Sequence, residues 1–301
     1  MKNKIQIPKK LVFFEGCTTS RALPETRLAT YILLEKAVAK GIIEEYKTIP
    51  NERCCGYASM VIGDFKTQMD NLIFNLNAIT RTGIKDVLFT CGACTQFMGN
   101  HPEFKRRGLR SINILEFVYA LYETGDLDKL MDRKLPAGTK MTGHYACHLR
   151  RLAGVKMEEL YREVAKALGA QYVEMKDATD CCGAGSEGKV AMRIAEKKVL
   201  NAQESGASMA PQVCAGCEAT LTVAAKKNKS TVSFISLSSL IVSCFDDLDM
   251  WVEKMGGTLK KPTPKDAPSA AEKTLDSINE VEKSENSNSQ TQKDDGVQES
   301  S

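Results

Sequence analysis

The stretch Thr179–Lys189, TDCCGAGSEGK, sets two cysteines side by side and follows them with three glycines. Three chemistries use such a stretch: a vicinal disulfide, a phosphate-cradling turn, and a metal site. Neighbouring Cα atoms lie about 3.8 Å apart across a trans peptide, whereas disulfides span roughly 4.4–6.8 Å. A bridge between Cys181 and Cys182 is therefore strained. Gly183, Gly185 and Gly188 spell G-x-G-x-x-G, but that signal alone is weak. The dinucleotide fingerprint needs an acidic residue about 20 positions on, at the end of the next strand. Here that region is NAQESGASM, the close of a helical pattern. The glycines read better as letting backbone N–H groups approach anionic sulfur at a helix start.

The rest of the chain repeats the motif. Of the eleven cysteines, ten form two copies of one pattern: Cys17, Cys54, Cys55, Cys91, Cys94, and then Cys147, Cys181, Cys182, Cys214, Cys217. Each copy is a single cysteine, an adjacent pair, and Cys-x-x-Cys. The surroundings repeat as well: LVFFEGC answers TGHYAC, ERCCGYASMVIGD answers TDCCGAGSEGK, VLFTCGAC answers PQVCAGC, and INILEFVYALY answers SFISLSSLIVS. Such self-similarity marks a duplicated fold unit. The halves are read as 10–130 and 138–250, joined near RKLPAGTK.

Short β-rich runs (KLVFF, DVLFT, KMTGHY, QYVEM, TVSFI) alternate with helical patterns. PETRLATYILLEKAVAKG opens on proline and closes on glycine, as helices do. VKMEELYREVAKALG, DFKTQMDNLIFNLNAITRTG and GKVAMRIAEKKVLNAQESG are three more. Strands alternating with helices predict βαβ units: an α/β chain of two pseudo-symmetric, Rossmann-like halves with mainly parallel sheets. In such sheets sites form beyond the carboxyl ends of the strands. Each set of five thiols is thereby sent to one sheet edge.

Cys-x-x-Cys is common in zinc sites, but zinc takes four ligands. Five thiolates on one Zn²⁺ leave a local charge of about −3, costly to bury. A polynuclear iron cluster spreads that charge. An ordinary cubane needs four cysteines, so a fifth implies an unusual cluster or a thiol with separate chemistry. Zinc with a spare thiol stays open as the alternative for either half.

The spacings C-x36-CC-x35-C-x2-C and C-x33-CC-x31-C-x2-C, with HYACH, CCGAG and CAGC in the second copy, resemble the CCG-domain family, exemplified by the heterodisulfide reductase B subunit. The resemblance spans nearly all of 10–250. The second copy is shorter than usual before its Cys-x-x-Cys, and the tail has no counterpart. The resemblance implies two non-cubane [4Fe-4S] clusters, one on each set of five cysteines, facing each other across a cleft and splitting a disulfide. It also implies a redox subunit of a larger complex. The chain has no ferredoxin run C-x2-C-x2-C-x3-C-P and no evident flavin site. Electrons are then expected from a ferredoxin-like iron–sulfur subunit and a flavoprotein subunit. Some relatives in the family serve quinone in unusual succinate or fumarate reductases, which is the alternative reading. A structural zinc subunit is the third.

Other residues carry weaker signals. His148 follows Cys147 directly and is the candidate proton donor to a departing thiolate. His144 alternates along a strand and reads as structural, and His101 reads as a loop residue. Gly56, Gly183 and Gly185 are the candidate glycines at the cofactor. Cys244 has no partner in the repeat and reads as a small buried hydrophobe. Arg150 and Arg151 read either as a contact for an anion or as a solvated helix start, and Trp251 as a packing residue. The net charge of +3 excludes a strong field for nucleic acid. MKNKIQIPKK lacks the apolar run of a signal peptide, and FISLSSLIVSCF is too short to span a bilayer. A cytoplasmic location is expected, peripheral on the inner face of the membrane in the quinone reading. From 259 to 301 the chain lacks aromatic residues and is rich in Ser, Lys and acidic residues, so a disordered tail is expected.

Overall fold

The computed structural model describes residues 6–259. The tail expected from 259 onward lies almost wholly outside them. The first half is built on a parallel sheet of β1 (Lys10–Phe14), β2 (Glu45–Lys47), β3 (Asp86–Phe89) and β4 (Arg110–Asn113), in the order β2-β1-β3-β4. Helices α1 (Cys17–Ala22) and α2 (Pro24–Ala39) join β1 to β2. Helices α3 (Tyr57–Val61) and α4 (Phe65–Arg81) join β2 to β3. A single turn, α5 (Gly92–Cys94), runs into a π-helical turn, Thr95–Gly99, and then α6 (Pro102–Arg106). After β4 come α7 (Ile114–Glu123) and α8 (Asp126–Leu130).

The sheet is covered on both faces, so its strands read as nearly unbroken apolar runs. Leu11, Val12, Phe13 and Phe14 are all fully buried. The helices begin where local chemistry starts them. Pro24 sits in the first turn of α2. Asp64 caps α4 by accepting the Thr67 N–H at 3.0 Å. Asn113 caps α7 while Glu116 reaches back to the Asn113 N–H at 2.9 Å, forming a capping box.

The second half repeats the order with less regular strands. β5 (Lys140–Met141) pairs in parallel with β6 (Gln171–Tyr172). Parallel bridges Met141–Met209 and Met209–Ser233 extend the series, so the spatial order matches β2-β1-β3-β4. A π-helical turn at His148–Leu152 and helix α9 (Met157–Ala167) lie between β5 and β6. Then come α10 (Gly188–Glu204), α11 (Ala215–Lys227), α12 (Leu237–Val242) and α13 (Leu248–Lys254). KMTGHY and TVSFI read as full strands in the sequence. In the structure the first is a strand for two residues only, and the second contributes single bridges. The backbone leaves the ladder at Gly143, where a Cβ would meet the Tyr161 ring at 2.9 Å. Thr142 N–H makes the last ladder bond, to the Met209 carbonyl, and Tyr145 N–H turns instead to the Ala178 carbonyl.

The halves interleave about a pseudo-twofold axis. Helix α2 of the first half packs on α12 of the second, and α9 of the second packs on α7 of the first. Helix α1 meets α11, and α5 meets the π-helical turn at His148. Polar bonds cross the same seam: Thr26 Oγ1 donates to Glu218 Oε1 at 2.6 Å, and Thr30 Oγ1 to Ser238 Oγ at 2.9 Å. Lys36, 2% exposed, reaches Asp132 in the joint at 2.8 Å and Asp247 in the second half at 2.7 Å. Its ammonium also lies 4.0 Å from the centroid of the Phe245 ring. The joint itself is held by Asp132 and Arg133 N–H groups on the Cys244 carbonyl. Cys244 is buried, as its apolar neighbourhood in the sequence predicts, and Trp251 packs with its Nε1–H on Asp247 at 2.9 Å.

Removing a buried cation strands the carboxylates it neutralised. Lys36→Met is expected to destabilise the chain by about 2 kcal/mol in urea unfolding, below the buried-pair range because both aspartates are partly wet. The Asp132 carboxyl is held below its ordinary value, first by the Lys36 hydrogen bond. Its contribution is complete above the unfolded aspartate pKa and fades as pH falls below about 4. The Lys36→Met loss should shrink there, and a loss independent of pH would contradict the clamp.

Candidate metal centre

Both cysteine sets sit beyond the carboxyl ends of the parallel strands. Cys17 opens α1 directly after β1, the Cys54–Cys55 pair precedes α3, and Cys91 and Cys94 bracket α5 after β3. All five line one cavity of about 90 Å³. Cys17 Sγ and Cys54 Sγ are 3.5 Å apart. In the second half Cys147 precedes the π-helical turn, the Cys181–Cys182 pair precedes α10, and Cys214 caps α11 with Cys217 inside it. Cys182 Sγ and Cys217 Sγ are 3.0 Å apart. All eleven cysteines are free thiols. The two sets do not stand apart: Cys91 Sγ and Cys214 Sγ approach to 3.9 Å across the seam.

The polar frame around the sulfurs was not evident in the sequence. Glu52 accepts the Gly16 N–H at 2.7 Å and the Glu15 N–H at 2.9 Å, tying the β1 exit to the cysteine-pair loop. Burial pushes its carboxyl up to about 8, against those two backbone donors. Asn75, fully buried on α4, clamps the same loop through the Arg53 N–H at 3.0 Å and the Arg53 carbonyl at 2.8 Å. On α10, Asn201 donates to the Lys176 carbonyl at 2.9 Å, and Lys198 bonds the Asp177 carbonyl. Asn113 donates toward the Phe89 and Val213 carbonyls at 3.3 and 3.4 Å, linking the strand ends that carry Cys91 and Cys214. In the sequence the trace of this frame is an asparagine within each of the helical patterns DFKTQMDNLIFNLNAITRTG and GKVAMRIAEKKVLNAQESG.

The glycines have geometric roles. Gly56 lies at φ 95°, and a Cβ there would meet Gln68 at 2.8 Å. Gly183 lies at φ 91°, where a Cβ would run into the Ala191 carbonyl at 2.4 Å. This tight turn aims the Gly183 N–H at Cys181 Sγ, 3.3 Å away. Gly185 passes the Tyr57 hydroxyl, 3.0 Å from where a Cβ would stand.

Electrostatics follow from crowding. A packed group of thiols cannot ionise together, because each thiolate raises the cost of the next. The thiols shifted toward the charged form are the first cysteine of each pair and Cys214 at the seam, the last through the hydrogen bonds of Cys217 and then Cys91. Cys54 is lowered to about 2, first by the Cys17 hydrogen bond and then by Cys55, with backbone N–H groups of Gly56 and Ala58 helping. Cys181 is lowered in the same way by Cys147, then Cys182. Cys17 and Cys147 rise correspondingly as donors. Such a donor set binds a thiophilic metal group by releasing its remaining protons. The five-cysteine cavity and the preformed thiolates fit a thiolate-held metal group. Cys17 to Cys94 would hold it in the first half, and Cys147 to Cys217 in the second.

The histidines separate by environment. His101 caps α6 through Nδ1, which accepts the Glu103 N–H at 3.1 Å. His148 lies between the halves in an aromatic group with Tyr57 and Phe97, at ring-centroid distances of 5.0 and 5.4 Å. Its Nδ1 is buried without a hydrogen-bond partner, and burial lowers its pKa. His144 is 1% exposed, and both ring nitrogens lack partners. Its ring, Cys182 and Cys217 place their donor atoms within 4.8 Å of one another. Arg150 turns a buried, unpartnered Nε inward, whereas Arg151 is exposed. A wider pocket of about 840 Å³ opens on Cys17 and Cys54, edged by Arg21, Arg27 and Arg53.

Comparison with known proteins places this geometry. The CCG cysteine-rich domain matches residues 11–99 and again 141–222. The chain is 27% identical over 260 residues to one component of the dihydromethanophenazine:CoB–CoM heterodisulfide reductase of Methanosarcina barkeri, covering 79% of this chain and 59% of that protein. It is 25% identical to a probable glycolate oxidase iron–sulfur subunit of Bacillus subtilis, covering 69% of this chain and 48% of that protein. It is also 25% identical to one component of the CoM/CoB fumarate reductase of Methanothermobacter marburgensis, covering 69% of this chain and 41% of that protein. The chain thus spans about half the length of these relatives. Two sets of five thiols on twin parallel sheets are one domain used twice, and the chain belongs to the CCG cysteine-rich domain family.

Proposed function

We propose that the chain is an iron–sulfur redox subunit of a multi-subunit oxidoreductase, reducing a disulfide at two polynuclear iron–sulfur centres. The first is held by Cys17, Cys54, Cys55, Cys91 and Cys94, and the second by Cys147, Cys181, Cys182, Cys214 and Cys217. The observation that carries this reading is the 3.9 Å approach of Cys91 and Cys214, which brings two thiol-rich sites into contact at one seam. Named relatives are iron–sulfur or reductase subunits, which supports the redox role. The five-fold thiol sets favour clusters of non-cubane type. Electrons come from partner subunits, a ferredoxin-like protein and a flavoprotein. The site is cytoplasmic.

The iron–sulfur groups, when bound, supply electrons and thiophilic iron. The remaining work falls to the chain. Two electrons and two protons turn one disulfide into two thiols. His148 stands at the seam, and with Nδ1 buried, Nε2 is the nitrogen left to deliver a proton to a departing sulfur. Tyr57 and Phe97 pack against that imidazole and exclude bulk water from it. Gly183 N–H and its counterparts near Gly56 stabilise charge on the cysteine sulfurs.

A second reading, reduction of a quinone at a membrane surface, is favoured by one feature. Val61, Ile62, Phe65 and Met69, beside the first site, are exposed, Ile62 to 80%. Among the described residues no helix is long and apolar enough to cross a membrane, so contact in this reading is peripheral. Binding to liposomes that Ile62→Glu with Phe65→Glu abolishes would select it.

Protein purified without oxygen and reconstituted with iron and sulfide is expected to be coloured. Cys182→Ala should lose the iron of the second site and keep the EPR signal of the first. Iron content unchanged by that substitution, or a colourless wild-type protein, would overturn the proposal; zinc without iron would establish the structural alternative. His148→Ala should keep its iron and lose roughly 10²-fold in disulfide reduction within the complex. An unaltered rate would remove His148 from the proton path.

A further inference from the structure

The two cysteine sets are equivalent in spacing but not in surroundings. Three residues before Cys17 stands Phe14, and three residues before Cys147 stands His144. Phe14 is fully buried, so an apolar ring satisfies this position in the first half. In the second half the same place is filled by an imidazole that is equally buried and has no hydrogen-bond partner at either nitrogen. An unsatisfied buried polar group costs about 1–3 kcal/mol. An apolar ring of that size is evidently accommodated by the fold, so packing alone does not account for the histidine.

What faces the ring supplies the reason. One of its nitrogens and the sulfurs of Cys182 and Cys217 lie within 4.8 Å of one another, and all three residues are buried. The approach is set by the backbone. Gly143 passes against the Tyr161 ring, and Tyr161 is itself pinned by its hydroxyl on the Pro211 carbonyl at 2.8 Å. The Ala178 carbonyl stands close enough to act on the ring, though short of a hydrogen bond. A carbonyl beside one ring nitrogen is the arrangement that orients a metal-binding imidazole.

We infer that His144 gives the second centre a nitrogen ligand, bound to the same metal group as Cys182 and Cys217. This rests on the reading that the second cysteine set holds a metal. The first centre has only sulfur donors, and the second has sulfur and nitrogen. Imidazole is neutral where a thiolate is negative, so His144 adds a donor to the second centre without adding to the charge of its five cysteines.

The test uses the whole protein labelled with ¹⁵N-histidine and purified without oxygen. Cys55→Ala, which breaks the first set, isolates the second centre. Metal analysis of that variant comes first. If it holds no metal, the functional reading fails at the second site and this inference with it. With iron present, pulsed EPR should show a ¹⁵N-histidine coupling that His144→Phe abolishes and His148→Phe keeps. With zinc present, X-ray absorption should show imidazole scattering with the same dependence. Metal without any histidine nitrogen, or a coupling lost with His148 instead, would overturn the inference while leaving the metal centre intact. Should His144→Phe fail to load metal, His144→Cys retains a ligand. It should bind metal, lack the nitrogen signal, and shift the second centre to a more negative potential.

Discussion

Sulfur crowding is the constraint on which the rest depends. Ten thiols are brought to the ends of parallel strands, and thiols that close cannot all ionise. The fold answers by favouring charge on the first cysteine of each adjacent pair and on Cys214. The Cys54 and Cys181 thiols are pushed below their ordinary range by their neighbours' S–H groups and by backbone N–H groups of the following turn. Those N–H groups point inward only because Gly56 and Gly183 take backbone conformations that a side chain would oppose. A donor set of this kind would exchange its remaining protons for metal.

The rigid surroundings make that crowding tolerable. Helices of each half cover helices of the other, α2 on α12 and α9 on α7, so neither cysteine set can move away from its mate without breaking the packing of both domains. Lys36, Glu218 and Asn113 carry the polar part of the seam, each buried and each bonded across or beside it. The contact between Cys91 and Cys214 is a consequence of this interleaving. The difference between Phe14 and His144 breaks the pseudo-twofold symmetry chemically.

Much of the architecture is legible in the chain. The repeat of the cysteine pattern specifies two like units, and KLVFF and DVLFT read correctly because both are apolar runs buried on both faces of a sheet. The long helices read correctly because proline, Asp64 and glycine punctuate them. KMTGHY and TVSFI read too long because β-propensity does not register a ring such as Tyr161 pushing the backbone aside at Gly143. His144 reads in the sequence as a residue alternating along a strand, but the strand ends at Met141 and the ring lies beyond it, beside Cys182 and Cys217.

Sequence alone determined the number of sulfur donors, their grouping by five, and the sheet ends to which they go, because spacing and alternation are local properties of the chain. Tertiary structure alone decided that the two groups touch, which thiols carry charge, and that an imidazole stands beside one group but not the other. Those outcomes depend on residues far apart along the chain, Cys91 with Cys214 and Thr26 with Glu218 among them. Such pairs meet only when two helical layers interlock, and no periodicity in the sequence records that meeting.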